Sequence, residues 1–392
     1  MQNGKCTLDI FKKLATQVLI NKKKPTRKQE EWRHSDLSLL ETYDAKVEAI
    51  NKNTLIPDKC YHLILTNGKF DKSRSNLPKT GIKIYDANDQ QFIDELFKID
   101  LKNGFDNKYQ VLQNYSKIIS GIFITIDKAL SFKIHYIGNN NHVTLIKIGN
   151  EAKVKFYEEF AQNTDEKCYI NQVTKIELGE NSSCKHFKQH NFVNDVKFLY
   201  SSKVVCKKHS QYESYMLNIN CASYRQDVEC LLQGEKASSN FYGVVIGKKQ
   251  EIYDINLKIK HQSSYTNSMQ HYNQILADVS HGSFTAKAII PKFINGIKAC
   301  QLNKNLLLDQ RAKAFSKPEL DIHSDDVTCS HGATIGNIDE NALYYLNSRG
   351  IGKQMAKKLI IKGFLKSVFE NKGLDNEDYK RLTHSIEKSL CE

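Results

Sequence analysis

"LIKIGNEAKVKF" (145–156) is an apolar strand, a Gly-x-x-Ala turn and a second strand carrying an aromatic residue. The same grammar returns in "KIELGENSSCKHF" (175–187) and in "CLLQGEKASSNFY" (230–242), with turns starting at Gly149, Gly179 and Gly234. Intervals of about 30 and about 55 residues predict stacked units, as in a β-solenoid or β-helix. A β-sandwich is the competing reading of the same strands. Outward from these units the texture holds. "GIFITI", "FKIHYI", "KFLYSSKVV", "YMLNIN" and "FYGVVI" are short β-type runs between polar turns. No long helical period interrupts them from about Gly121 to about residue 340.

The flanks differ. Leu8, Phe11, Leu14, Ala15, Val18 and Leu19 recur at helical spacing, so residues 7–20 read as an amphipathic helix that Pro25 prevents from continuing. "YHLILTNGKF" reads as a strand with an Asn67-Gly68 turn. "QQFIDELFKI" and "DNKYQVLQNYSKII" read as short helices. After Ile335 the period is helical again. Asp339 is a plausible N-cap, Gly350 a stop, and Met355, Leu359, Ile360, Phe364 and Val368 are expected along one face. The chain therefore divides into a helix-rich region (1–110), a β core (111–335) and a C-terminal helical domain (336–392).

A net charge of +13 invites a nucleic-acid reading, but only seven of the 57 basic residues are arginine. Lysine scattered along the whole chain lacks the bidentate geometry that reads phosphates and bases. Ten cysteines include no CxxC pair, so zinc ribbons, thioredoxin chemistry and self-contained cluster motifs lack support. Asp9, Lys12 and Lys13 interrupt the first apolar stretch, which argues against a signal peptide, and no apolar run reaches the roughly 18 residues of a membrane helix. A reducing cytosol with free thiols is the expected setting.

His261, His271 and His281 fall ten apart, a period that does not match the coil, so hydrogen-bonded histidines are expected there rather than a metal site. "SRGIGKQMAKK" fails as a phosphate loop, because Asn347 and Gln354 stand where Gly and Ser/Thr are needed. Its Gly-Ile-Gly turn fits a helix-hairpin-helix fragment, the best case for nucleic acid, but a helix start explains it as well.

"DDVTCSHGATIG" (325–336) holds four residue types that bind metals. If extended, it puts Asp325, Val327, Cys329 and His331 on one face, with Cys329 and His331 roughly 6.7 Å apart. Two ligands do not close a site that needs about four. Ser330 points away from His331, so hydrolysis is disfavoured. The reading is half a metal site at a strand end, the remaining ligands coming from elsewhere in the chain or from a partner.

Residues 317–370, "KPELDIHSDDVTCSHGATIGNIDENALYYLNSRGIGKQMAKKLIIKGFLKSVFE", closely resemble the C-terminal signature of the SufB/SufD family of iron–sulfur cluster assembly scaffolds. "RKQEEWRHSDLSLL", "QHYNQILADVSHGSFTAKAII" and "NLLLDQRAKAFSKPEL" are similar to other family stretches, while residues 110–255 match only in texture. His331-Gly332-Ala333 places the chain on the SufD side, since SufB-like chains carry His-Glu-Ala there. The N-terminal region is short for the family. The resemblance implies a right-handed parallel β-helix between helical ends and a non-enzymatic scaffold. It implies pairing with SufB near Pro318, Leu320 and Ile322, and docking of the SufC ATPase on C-terminal helices that carry Arg349, Met355, Leu359 and Phe364. His331 matches the family's proposed cluster-assembly histidine, with Cys329 beside it. The cargo would be transient iron or a nascent cluster shared with SufB, none of it held tightly by this chain alone, and a homodimer is possible when the chain is isolated.

Overall fold

The computed structural model describes residues 7–41, 60–66, 69–118, 120–137, 140–161, 168–191 and 196–390. Helix α1 (Leu8–Ile20) opens them; the Thr7 hydroxyl caps it by accepting from the Ile10 N–H. Strands β1 (Tyr61–Thr66) and β2 (Lys69–Phe70) pair antiparallel, Leu65 opposite Phe70. The turn expected at Asn67-Gly68 lies outside the described residues. Strand β3 (Ile82–Asp86) and helices α2 (Gln90–Phe97) and α3 (Tyr109–Lys117) follow. The helix-rich N-terminal region also contributes strands: β1 lies parallel to β5 (Leu130–Ile137) and β3 antiparallel to β4 (Ser120–Ile126), so it extends both main sheets.

From β4 to β19 (Val327–Gly336) the strands alternate between two sheets, and each pairs in parallel with the strand two places away. One coil contributes one strand to each sheet, which is a parallel β-solenoid. Ser183, Gln211, Ser238, Asn267, Lys298 and Thr328 are successive register partners, about 30 residues apart. The corners stack as regularly. Asn181, His209, Lys236, Tyr265 and Gly296 all have positive φ. Each donates its N–H to the next coil, to the carbonyls of Lys208, Glu235, Ser264, Asn295 and Asp326. Glycine matters here for close approach: a Cβ on Gly234 would lie 1.9 Å from the Lys208 nitrogen.

The solenoid lumen holds the main apolar cluster, including Phe132, Phe156, Phe198, Tyr224, Tyr253 and Phe284. Both outer faces are also covered, so strands such as "SYRQDVECLL" are buried along their whole length. Helices α5 (Lys353–Lys366) and α6 (Asn376–Ser389) pack on the odd-numbered sheet. There Tyr157, Phe187, Tyr215 and Tyr242 stack at 4.8, 4.9 and 5.4 Å. Burial of each such ring stabilises by roughly 2 kcal/mol. On the even-numbered sheet lie α1–α3 and the short turns around Trp32 and Leu39.

Candidate metal-binding edge

Each sheet ends in an open strand, β18 (Lys313–Ile322) in one and β19 in the other. A parallel ladder sends successive N–H groups to alternate sides. Lys313 donates to Ser280 O and His323 to Ile290 O, which sets the phase. Odd-numbered residues of β18 bond inward to β16 (His281–Ile290), and even-numbered ones, from Ala314 to Ile322, point to the open edge. Pro318 is even-numbered, so its missing N–H costs the ladder nothing. Leu320 is partly buried, while Ile322 and Phe315 are exposed on this edge.

Strand β19 carries "VTCSHGATIG" and pairs with β17 (Ile297–Leu307), Ala299 beside Cys329 and Gln301 beside His331. Cys329, His331, Ala333 and Ile335 continue the lumen-facing rows, but among the described residues no further coil covers them. Cys329 is half-buried against Ala288, Ile290 and Ala299, and burial pushes its thiol pKa up. His331 is exposed. Of the four candidate ligands, Asp326 is occupied structurally: its carboxylate accepts from the Gly296 N–H at 2.8 Å. No group of three or more His, Cys, Asp or Glu poised for a metal exists among the described residues. Among the described residues, Cys329 and His331 lie on a strand with no partner on its open side.

Other expected features fall elsewhere. His261 is fully buried, its ring nitrogens 2.8 and 3.0 Å from the hydroxyls of Thr266 and Ser268, and burial lowers its pKa to about 4. His271 and His281 lie in different sheets and do not converge with it. In the Gly-Ile-Gly turn, Gly350 has φ +83°. Its N–H bonds to Asn347 O, and that of Ile351 to Leu346 O, which ends α4 (Glu340–Ser348). The turn is accounted for as a helix stop, so it offers the nucleic-acid reading no support. In α5 the face against the sheet is Ile361 and Leu365, continued by Val368. Phe364 is partly buried there, whereas Met355 and Leu359 are exposed on α5. Arg349 is also exposed, its guanidinium 5.4 Å from the Tyr345 ring. Met355 and Leu359 thus diverge from Phe364 and Val368, because the sheet claims the neighbouring stripe.

The sequence did not reveal what "EEWRHSD" does. Arg225, fully buried, lies 3.8 Å over the Trp32 ring. It donates to Glu31 O (2.8 Å), to Ser35 Oγ (2.6 Å), to Asp227 (2.7 Å) and to Asp254. His34 stacks on Phe315 of β18 at 3.7 Å, and Glu30 pairs with Lys317. The N-terminal segment therefore reaches the edge strand. A cavity of about 640 Å³ lies beneath it, lined by His34, Asn256, Lys258 and Thr285 among others. Arg225 is 190 residues from Ser35, so no local spacing signals the pairing.

A parallel two-sheet β-solenoid, closed by helices on its faces and open at its last coil, defines the structural class. Residues 135–364 match the family model described as the SUF system FeS cluster assembly SufBD core domain, and the chain belongs to that family. It is 28% identical to the SufD of Escherichia coli over 63% of this chain and 58% of that protein. A SufBD family protein of Synechocystis is 27% identical over 58% and 52% of the two chains. The SufB of Bacillus subtilis is 24% identical over 66% and 58%. Matches thus span little more than half of these relatives' lengths. SufD proteins of Bacillus subtilis and Plasmodium also match, and the chain is SufD-like. No helix among the described residues is long and apolar enough to cross a membrane.

Proposed function

We propose that this chain is the SufD-type subunit of a cytosolic iron–sulfur assembly scaffold and catalyses no reaction itself. A SufB-type partner pairs with the open edges of β18 and β19. His331 then offers a neutral imidazole to iron or to a nascent cluster, the partner supplying the remaining ligands. An ATPase of the SufC type docks on α4 and α5, where Tyr344, Tyr345, Met355 and Leu359 are exposed beside Arg349. Exposed aromatic and Met side chains next to an arginine fit a protein interface.

The observation that carries the reading is the unpaired last coil with His331 and Cys329 on it. An exposed edge of this length is normally blunted or occupied. Two experiments test it. The chain co-expressed with SufB and SufC is expected to co-purify with both, and Met355→Asp with Leu359→Asp, on the exposed side of α5, to abolish SufC retention only. His331→Ala is expected to leave the complex intact and to fail in a growth assay that depends on cluster assembly. Full growth with His331→Ala would falsify the ligand role.

A further inference from the structure

Resting on that reading, we propose that Gln301 is a positioning residue for His331: its carboxamide oxygen takes one imidazole N–H and leaves the other nitrogen's lone pair facing the partner. Gln301 is 1% exposed and lies inside the lumen on β17. It is the register partner of His331, and side chains so aligned on neighbouring parallel strands stand about 4.8 Å apart. Its orientation is settled by chemistry. The Nε2 donates across the lumen to Glu319 O of β18 at 3.2 Å. The reverse orientation would set oxygen against oxygen. Oε1 is then left buried without a protein partner. A buried carbonyl lacking a donor costs on the order of 1–3 kcal/mol, and the two register neighbours that could donate to it are the His331 ring on the open side and the Gln270 amide behind.

The consequence is selection of a tautomer. An imidazole that donates one N–H to a carbonyl keeps a lone pair on its other nitrogen, the form that binds metals. The Gln301 amide also spans the two edge strands. Whatever pairs with β18 near Glu319 therefore acts on the same side chain that sets His331. The residue behind it, Gln270, is fully buried, and neither end of its amide has a protein partner. The Gln270 Nε2 is therefore the competing donor for Gln301 Oε1, and an unchanged His331 tautomer in Gln301→Met is the outcome expected if Gln270 takes that oxygen.

The test uses the full chain with ¹⁵N-labelled histidine, His331→Ala assigning the signal. The wild type is expected to show one dominant His331 tautomer, and Gln301→Met a mixture. In the complex with SufB, ferrous iron retention is expected to fall about tenfold or more in Gln301→Met, in line with loss of a ligand's orienting partner, with complex formation unchanged. An identical tautomer distribution in wild type and Gln301→Met would overturn the proposal. The NMR readout needs no iron, so it separates this proposal from the ligand role. A tautomer shift together with full growth of His331→Ala sinks only the ligand role.

Discussion

The lumen has two ends that treat polar groups in opposite ways. Near the first coils, Glu158 is fully buried and accepts from His186 at 3.0 Å, Tyr200 at 2.8 Å and Tyr136 at 3.1 Å. Burial drives its pKa up, but His186, Tyr200 and Lys188 outweigh burial and hold it at about 2. The other His186 nitrogen meets the Tyr212 hydroxyl at 2.8 Å. Near the last coils the lining is amide: Gln270, Gln274, Gln301, Asn303 and Asn305, all 3% exposed or less. Asn303 and Asn305 hold backbone carbonyls of Tyr272 and Thr334. Both ends of Gln270 and Gln274, and the oxygens of Gln301 and Asn305, have no protein partner. The first end binds a buried charge into a hydrogen-bonded set, although Lys188 Nζ and Ser202 Oγ there also have no hydrogen-bond partner among the described residues. The other keeps capacity in hand beside the exposed edge. A charge locked in place belongs to stability, and spare neutral acceptors belong to a site that has to take something up.

Breaking the closed end is expected to have the largest effect. Glu158→Leu leaves Lys188, His186 and three hydroxyl groups facing an apolar side chain, and should cost about 3–5 kcal/mol. Urea unfolding measures it. His331→Ala, at the open end, should cost less, about 1 kcal/mol for the donor it offers Gln301. Equal losses would erase the contrast.

Acid sharpens the same comparison. Burial lowers the pKa of His142 to about 3 and that of His261 to about 4. Unfolded histidine titrates near 6.5. Between these values the unfolded chain binds more protons, so stability is whole above about pH 6.5 and falls as pH drops toward the folded values. Glu158 acts in the same direction, losing its contribution from about pH 4.5 down toward 2. A decline of at least ~2 kcal/mol is expected between pH 7 and pH 5. A flat unfolding midpoint over that range would mean that these imidazoles are not buried neutral.

The solenoid was legible because glycines at 149, 179 and 234 mark close approaches between coils. The interval of about 55 residues spans two coils. The corner between them places His209 in the left-handed position, with no glycine to announce it. The paired edge motif was legible too, since alternation alone puts Cys329 and His331 on one face. Gln301 was not. Its relation to His331 depends on a register 30 residues long, and neighbouring coils vary by a few residues, so no fixed spacing exposes it. The outward polar residues Arg225 and Asp227 look solvated in the sequence and are buried only because the N-terminal segment returns to cover them.

A smaller effect belongs to the edge alone. Ile322→Pro removes an N–H that points away from β16, so the isolated chain should lose less than 1 kcal/mol. Association with SufB should weaken about fivefold, the loss of one inter-strand bond at about 1 kcal/mol. Proline at Asp321 is the control, because that N–H faces β16 and its loss should destabilise the chain itself. Equal unfolding midpoints for the two variants would mean that the ladder phase is wrong.

The smallest expected effect is that of Cys329→Ser. Its side chain lies half-buried against Ala288, Ile290 and Ala299, and burial raises the thiol pKa. A thiol kept protonated is a poor ligand, because the thiolate is the form that binds metal. Serine is nearly isosteric but brings a more polar hydroxyl to an apolar contact, which should cost under 1 kcal/mol at this partly covered position. Cluster assembly in the growth assay should therefore be reduced only mildly, and far less than by His331→Ala. Complete loss of growth with Cys329→Ser, in a variant that still binds SufB, would move the principal ligand from the imidazole to the thiol. It would also show that partner binding changes the surroundings of Cys329 enough to deprotonate it.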